Sequence, residues 1–581
     1  MARIDIKSNG ATLSDGVLQL ENGVAMDTTL RNVADQNNTT SPLKLSTNSV
    51  TNRGLANEVG STAYGTSALR STTTGTDNTA IGYLALNTDT TGSSNTAVGH
   101  EALLLTTTGS NNTSIGKHAN RFNTSGSGNT AVGTLAMRLN QTGTGNSAYG
   151  YLALENNTNS NNTALRYRSL RANTSGSLNV AVGVDALLSA TTGTSNVAVG
   201  YQALNTNTTG INNTALGTQS LFTNDTGSRN VAVGRQTMYF NTTGERNTAV
   251  GIAALSSNTT GSYHTAVGEF ALFSNTTGNN NTAIGREALK QNVIGSNNVA
   301  LGFSALLFNT ADNNTAVGYE AGYSNTAGVE VTAIGYRALR NSTGDENTAV
   351  GFEALFSNTT GSANTAVGRN AMNLNTTGIA NTAVGTAALR VNTTGFENSA
   401  YGEAALRFNQ TGNYNSAIGK NALYSNVSGA NNTALGHAAL FLNTSSNNTA
   451  VGYRAGYANI TGVEMVALGY DALENCNGNG NTAIGYFSLQ QVTTGTLNSS
   501  LGAYTNAGTT GSGNVLAGYG ASAVNYSGSV VIGRDAAATG SNQFVVGSVV
   551  SPAGAITAEV NVSSQVWNVR INGTACKILL A

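Results

Sequence analysis

The side chains in this sequence that could carry out chemistry are few and scattered. The histidines and cysteines are His100, His118, His264, His437, Cys476 and Cys576. No CxxC or Cys/His spacing that would indicate a metal centre is present, and no histidine is paired with a carboxylate at a ligand spacing. We therefore expect free thiols, no metal site and no cofactor.

Acidic residues recur just after the glycine of a repeated A-V-G motif. Examples are Glu101, Asp185, Glu287, Glu320, Glu353 and Asp471. A pair of carboxylates could serve a glycosidase of the depolymerase kind. Scattered, solvated charges at a variable surface position explain them more simply. The sequence therefore predicts a protein that is not an enzyme.

Aromatic residues often occupy the position directly after the same glycine. The clearest runs are Phe303, Tyr319, Tyr336 and Phe352, then Tyr453, Tyr470 and Tyr486. In stacked coils these rings would form a ladder, either to contact sugar rings or to shield neighbouring backbone. The candidate receptor or glycan contacts are Tyr319, Tyr323, Tyr336, Tyr453, Tyr457, Tyr470, Trp567, Arg570, Asn572 and Lys577.

These residues are positioned by a repeat. Residues 347–363 read NTAVGFEALFSNTTGSA, and residues 364–380 read NTAVGRNAMNLNTTGIA. The glycine of A-V-G, called the phase glycine below, recurs from Gly65 to Gly547 in 30 positions, of which only Arg166 is not glycine. Of the 29 intervals, 21 are seventeen residues long. A short fixed period predicts a mainly β fold, a parallel β-roll or solenoid of stacked coils.

Each part of the template N-T-A-V-G-x-x-A-L-x-x-N-T-T-G-x-x has an expected place. Alternation in T-A-V-G predicts a strand with Thr and Val facing the core and Ala and Gly facing away. The small Ala/Gly face would let identical chains approach closely, which predicts a homotrimer, intertwined or side by side, forming a fibre. The Leu would add to the core. For x-x-A-L-x-x a strand is favoured over a helical turn, and N-T-T-G is expected to turn with its Gly at positive φ.

Two segments repeat a departure from the template. Residues 313–336 and 447–470 both place glycine, Gly322 or Gly456, where the core Leu is expected, and both carry V-E-V or V-E-M before the next strand. A duplicated packing variant is one interpretation. A specialised ligand site or a bend is the other.

The two ends lack the repeat. In residues 1–60, alternating apolar pairs separated by turn signals indicate short strands: Ile4/Ile6, Leu18/Leu20 and Leu43/Leu45. At the other end, Asn572-Gly573 between two alternating segments predicts a hairpin that contains Trp567. We therefore divide the chain into a β-rich N-terminal region 1–60, a shaft of about 30 repeats at 61–548, and a hairpin cap or tip at 549–581.

Composition excludes some partners. Charged residues are 9% of the chain and the net charge is −1, which gives no reason to expect nucleic acid. No apolar segment reaches the roughly 18 residues of a membrane helix, and the first residues have no apolar signal-peptide core. We expect a chain made in a cytoplasm, without membrane insertion.

The repeat resembles known fibrous proteins. N-V-A-V-G and N-T-A-V-G are similar to the repeats in the heads of trimeric autotransporter adhesins, which are left-handed parallel β-rolls. The N-T-T-G turn, the x-x-A-L segment, and the end segments SPLKLSTNSVTN and WNVRINGTACKILL more closely resemble bacteriophage tail fibre proteins. This resemblance implies a virion-located homotrimer whose N-terminal region attaches to a phage tail or baseplate protein and whose tip binds a host surface glycan or protein. The alternatives are a bacterial cell-surface adhesin, a polysaccharide depolymerase and, more remotely, an ice-binding solenoid.

Overall fold

The structure is a computed structural model that describes residues 60–547, together with the backbone of six strands outside that range. The chain forms two compact units, Met1–Asn313 and Asn314–Ala581, which are taken separately. No helix occurs among the described residues. The described residues of both units form strands, turns and bends.

The first unit begins with two antiparallel strand pairs. Strand β1 (Ala11–Ser14) pairs with β2 (Val17–Leu20), and β3 (Arg31–Ala34) pairs with β4 (Thr40–Leu45). The strands expected at Leu18/Leu20 and Leu43/Leu45 are therefore present, whereas Ile4 and Ile6 lie outside the described residues.

The repeats of the first unit form one parallel sheet of three-residue strands. They are β5 (Thr62–Tyr64), β6 (Thr79–Ile81), β7 (Thr96–Val98), β8 (Thr113–Ile115), β9 (Thr130–Val132), β10 (Ser147–Tyr149), β11 (Thr163–Leu165), β12 (Val180–Val182), β13 (Val197–Val199), β14 (Thr214–Leu216), β15 (Val231–Val233), β16 (Thr248–Val250), β17 (Thr265–Val267), β18 (Thr282–Ile284) and β19 (Val299–Leu301).

The second unit continues the same pattern. Its parallel strands are β20 (Thr315–Val317), β21 (Thr332–Ile334), β22 (Thr348–Val350), β23 (Thr365–Val367), β24 (Thr382–Val384), β25 (Ser399–Tyr401), β26 (Ser416–Ile418), β27 (Thr433–Leu435), β28 (Thr449–Val451), β29 (Val466–Leu468), β30 (Thr482–Ile484), β31 (Ser499–Leu501), β32 (Val515–Ala517), β33 (Val530–Ile532) and β34 (Phe544–Val546). The antiparallel pair β35 (Val566–Ile571) and β36 (Thr574–Leu579) confirms the hairpin expected around Asn572-Gly573.

Each coil places its strand directly against the same strand of the next coil. In β22 and β23, Thr348 pairs with Thr365, Ala349 with Ala366, and Val350 with Val367. Equivalent residues therefore stack in columns along each unit. The two units together hold about 29 turns of a parallel β-solenoid with a repeat of about 17 residues, which confirms the predicted fold class.

The strand faces are the reverse of those predicted. The central alanine of nearly every repeat strand is fully buried; Ala349 and Ala366, for example, are 0% exposed, whereas the Thr and Val on either side are partly or largely exposed. Ala therefore faces the core and Thr and Val face solvent. A coil of 17 residues encloses little space, and the fully buried Leu and second Ala of A-L already fill much of it. The Ala face is consequently unavailable for contact with sister chains.

Glycine is required because successive coils approach each other closely. Gly368 has a φ of +133°, and a Cβ on it would lie 2.6 Å from the carbonyl oxygen of Gly385 in the next coil. The glycine of N-T-T-G is also required by the close approach of the next coil, and it does not have the predicted positive φ. A Cβ on Gly378 would lie 2.4 Å from the carbonyl oxygen of Gly395, and the left-handed residue of this turn is Ala380, at φ 54°.

The segment x-x-A-L-x-x is neither the strand we expected nor a helical turn. Residues 369–374 form consecutive turns in which Asn370 (φ 57°) and Met372 (φ 47°) adopt the left-handed conformation. The N–H of Asn370 donates to the carbonyl of Phe352 in the preceding coil, and that of Met372 donates to Ala388 in the following coil. Left-handed backbone costs about 1–2 kcal/mol per residue. These bonds to both neighbouring coils offset that cost.

Two rows of buried asparagine complete the core. The strand-side asparagine row consists of the Asn before each strand, and the turn-side asparagine row consists of the first residue of each N-T-T-G; nearly all members are 0% exposed. In the turn-side row, Asn375 Nδ2 donates to Asn358 Oδ1 at 2.7 Å and to the carbonyl of Gly378 at 3.0 Å. The sequence predicts a turn role for the turn-side asparagines only, and the burial of both rows was not predicted. Their recurrence at two fixed template positions was the available signal.

The two glycine variants are explained by packing. A Cβ on Gly456 would lie 2.5 Å from the terminal methyl of Met465, a fully buried residue that replaces a member of the strand-side asparagine row. The methionine therefore fills space that the missing Leu leaves. Gly322 has the same φ of 60°, and buried Val331 occupies the position equivalent to Met465. These contacts favour the packing interpretation.

Candidate functional site

The expected aromatic ladder forms along the outside of the second unit. Tyr453 and Tyr470 stack with ring centroids 4.8 Å apart, and Tyr470 and Tyr486 with centroids 5.2 Å apart. Tyr336 stacks between Tyr319, at 5.3 Å, and Phe352, at 5.1 Å. The spacing follows from coil-to-coil stacking, because each ring occupies the same position one coil further on.

Stacking determines which part of each ring is accessible. The ring planes of Tyr453 and Tyr470 are inclined by 15°, and those of Tyr470 and Tyr486 by 25°. Both faces of Tyr470 are therefore covered by its neighbours, although the residue is 41% exposed. Its edge and hydroxyl are what solvent reaches. An interior ring of the ladder can offer hydrogen bonds to a glycan, but not an open face for stacking.

Tyr323 and Tyr457, which follow the variant glycines, are half-buried and each lies under an arginine. The guanidinium of Arg340 is 4.8 Å from the Tyr323 ring centroid, and that of Arg454 is 4.5 Å from the Tyr457 ring centroid. Arg340 Nε also contacts Glu320 Oε2 at 2.7 Å. Cation–π contacts of this type hold both the ring and the arginine in place.

The candidates near the C-terminus are described less fully. Trp567 and Arg570 lie on β35 and Lys577 on β36, where only the backbone is described. Asn572 lies outside the described residues. Trp567, Arg570 and Lys577 therefore belong to one pair of antiparallel strands, apart in sequence from the tyrosines.

Sequence reasoning missed one cluster of side chains. The ligand atoms of His100, Glu101 and His118 all lie within 4.8 Å of one another. Glu101 and His118 occupy the same template position in successive coils, which brings residues 17 positions apart together. The 17-residue period of the stacked coils was the signal that could have revealed the proximity of Glu101 and His118.

The other sulfur and imidazole groups are in different surroundings. His264 is buried in the strand-side asparagine row, and desolvation lowers its pKa to about 4. His437 stacks on Tyr453 at 5.3 Å. Cys476 is fully buried, and burial raises the pKa of its thiol to about 11, so it is protonated at neutral pH.

A long uncharged surface lies on the outer side of the strands. We call the first and third residues of strands β5 to β34 the outer strand face. The first residue is Thr, Ser, Val or Phe, and the third is Val, Ile, Leu, Tyr or Ala, so no charge occurs on it in either unit. Many third residues are at least a third exposed: Tyr64, Ile81, Ile115, Tyr149, Leu216, Val250, Ile284, Leu301, Ile334, Tyr401, Ile418, Leu435, Leu468, Leu501, Ile532 and Val546.

No family model matches the chain, and no curated protein matches its sequence. Among the described residues, no helix has the length and apolarity needed to cross a membrane.

Proposed function

We propose that this protein is the structural tail fibre of a bacteriophage, a homotrimer that attaches to the virion and carries host receptor binding. The observation that supports this most is the outer strand face. A soluble monomer rarely exposes a contiguous apolar patch larger than a few hundred Å². A face without charge that recurs on every coil is suited to burial against the same face of identical chains.

The trimer is tested by placing charge on that face. The face variant substitutes lysine on three consecutive strands, at Val350, Val367 and Val384. The control variant substitutes lysine at three exposed turn positions of the same coils, Thr360, Thr377 and Thr394. Like charges brought together across an interface cost several kcal/mol. Light scattering coupled to size exclusion should show trimers for the unchanged chain and the control, and dissociation for the face variant.

A monomeric unchanged chain would overturn the trimer. Equal masses for the two lysine variants would show that chains associate through another surface. Circular dichroism that matches the unchanged chain establishes that the variants keep their strands.

The virion location is tested by microscopy. Antibodies to residues 549–581 should label the far ends of fibres on intact phage particles in negative-stain immunogold images. Labelling of bacterial cells instead would favour the cell-surface adhesin, whose head repeats resemble this one.

We place glycan contact by the fibre at the row Tyr453, Tyr470 and Tyr486, through the hydroxyls that stacking leaves accessible. A triple Tyr→Phe variant keeps the stack and removes only the hydroxyls. At about 0.5–1.5 kcal/mol per hydrogen bond, binding to host surface polysaccharide should weaken at least about tenfold. Tyr201→Phe is the control, because Tyr201 has the same template position but Val184 and Thr218 beside it. Unchanged binding by the triple variant would exclude this row while leaving the fibre proposal intact.

A further inference from the structure

We propose that His100, Glu101 and His118 form a binding site for one divalent transition-metal ion, with zinc the best match. Two imidazole nitrogens and a carboxylate oxygen are the ligand set that zinc takes in sites with an open position for water. In this structure the three potential ligand atoms already lie within 4.8 Å of one another.

The backbone brings these ligands together from two adjacent coils. Glu101 (φ 55°) and His118 (φ 58°) each lie two residues after a phase glycine, in the left-handed conformation common at that position. The N–H of His118 donates to the carbonyl of His100 at 2.9 Å. Because the coils are tied by such bonds, the two imidazoles and the carboxylate are held close before any ion arrives.

The distances are compatible with coordination after a small contraction. His118 Nε2 lies 3.4 Å from Glu101 Oε2. Zinc bound at about 2.0–2.2 Å to each donor requires tetrahedral donors roughly 3.3–3.6 Å apart. That pair is therefore at the required separation, and only His100 must move closer. His100 is exposed, so its side chain has room to rotate.

Arg121 competes with the ion for the carboxylate. Its Nε lies 2.6 Å from Glu101 Oε2, and its guanidinium lies 4.9 Å from the ring centroid of Phe122. This is the same oxygen that lies 3.4 Å from His118 Nε2, so Arg121 and the ion compete for it, and the positive charge of the guanidinium opposes a cation. Arg121 thus sets the affinity, and its removal should strengthen binding.

His437 provides a matched control within the chain. Like His100 it directly follows a phase glycine, and it stacks on an aromatic ring, that of Tyr453. Its neighbours at the Glu101 and His118 positions are Ala438 and Arg454, which offer no ligands. A metal site should therefore depend on His118 and not on His437.

The test is titration of the full-length chain with zinc chloride by isothermal calorimetry, with cobalt(II) absorption as a check on coordination. We expect one ion per chain. His118→Ala and Glu101→Gln should each weaken binding at least about tenfold, and His437→Ala should leave it unchanged. Arg121→Met should bind at least about fivefold more tightly.

Three results would overturn the site: no binding by the unchanged chain, equal affinity in His118→Ala, or a loss of affinity in His437→Ala equal to that in His118→Ala. Weaker binding by Arg121→Met would refute the placement of the ion beside Glu101. Matching thermal melts of the metal-free variants separate loss of ligands from loss of fold.

Discussion

The side-chain carbonyl oxygen of Asn347 accepts a hydrogen bond from the backbone N–H of Asn364, one coil further on, at 3.1 Å. The Nδ2 of Asn364 then donates to the carbonyl of Gly378 at 2.8 Å. Each asparagine of the strand-side row thereby satisfies backbone groups that the tight turns leave without strand partners. Buried polar groups stabilise a core only when their hydrogen bonds are made. A different residue at a position of the strand-side asparagine row therefore changes the electrostatics of its coil.

Two substitutions on β16 test the strand orientation: one enlarges an inward residue, and the other shortens an outward residue. Ala249 is 0% exposed and Val250 is 37% exposed on β16. Ala249→Val overpacks the core and should destabilise its coil by about 1–3 kcal/mol. Val250→Ala should change the stability of the coil in the monomer by no more than about 0.5 kcal/mol. Local opening energies from amide hydrogen exchange measure both, and the opposite ranking would restore the orientation first expected.

Asp89 replaces an asparagine of the turn-side row and should make its coil sensitive to pH. Burial raises the pKa of this carboxyl from 3.8 to about 7, against the lowering effect of the N–H of Gly92. Because the folded chain holds this proton more tightly than the unfolded chain, stability is greatest below about pH 4 and is lost as pH rises toward 7.

Asp89→Asn should remove that dependence and stabilise the coil by ~1–3 kcal/mol at pH 8. Hydrogen exchange of residues 78–95, compared with the unchanged chain at each pH, is the measurement. Asp225→Asn, at an exposed turn position, is the control. If the opening free energy of the Asp89→Asn coil changed with pH as steeply as that of the unchanged chain, the pH dependence would not come from Asp89.

His264 should produce the opposite dependence. The N–H of Asn281 donates to its Nδ1 at 3.2 Å, which requires that nitrogen to be unprotonated. Its pKa is lowered from 6.5 to about 4, mainly by burial, so the unfolded chain binds the proton more tightly. Stability is fully present above about pH 6.5 and is lost as pH falls toward 4.

Replacing His264 with Asn restores the strand-side row. At pH 5 the coil should gain about 2 kcal/mol relative to the unchanged chain, and at pH 8 this titration should contribute nothing. Hydrogen exchange around residues 247–281 reports the difference. An equal gain in stability at pH 5 and pH 8 would show that the size of the side chain, and not its protonation, causes the difference between His and Asn at position 264.

Asn120 lies fully buried where the preceding and following coils have Leu103 and Met137. Neither its Oδ1 nor its Nδ2 has a hydrogen-bond partner among the described residues. Asn120→Leu should therefore stabilise the coil by roughly 2–3 kcal/mol, because it removes unsatisfied polar atoms and adds apolar packing. Leu103→Asn, the converse change one coil earlier, should destabilise by a similar amount. Hydrogen exchange across residues 99–137 tests both, and a destabilised Asn120→Leu would contradict this account.

The sequence alone determined the architecture. A period of seventeen residues with one phase glycine per coil required stacked coils, because a chain can repeat one conformation only if each coil packs on the next. The alternation of T-A-V and the Asn572-Gly573 turn also predicted the strands and the terminal hairpin, since both are local features. The aromatic ladder followed from the same periodicity.

Only the tertiary structure decided which side of each strand is inside. Alternation separates Thr and Val from Ala but does not say which set is enclosed, and hydrophobicity pointed to Val. In the narrow coil Ala349 lies inside and Val350 lies outside, because a core that already contains Leu and asparagine has room for a methyl group only. The same stacking brings Glu101 to His118, a proximity that depends on coil register rather than on neighbours in the chain.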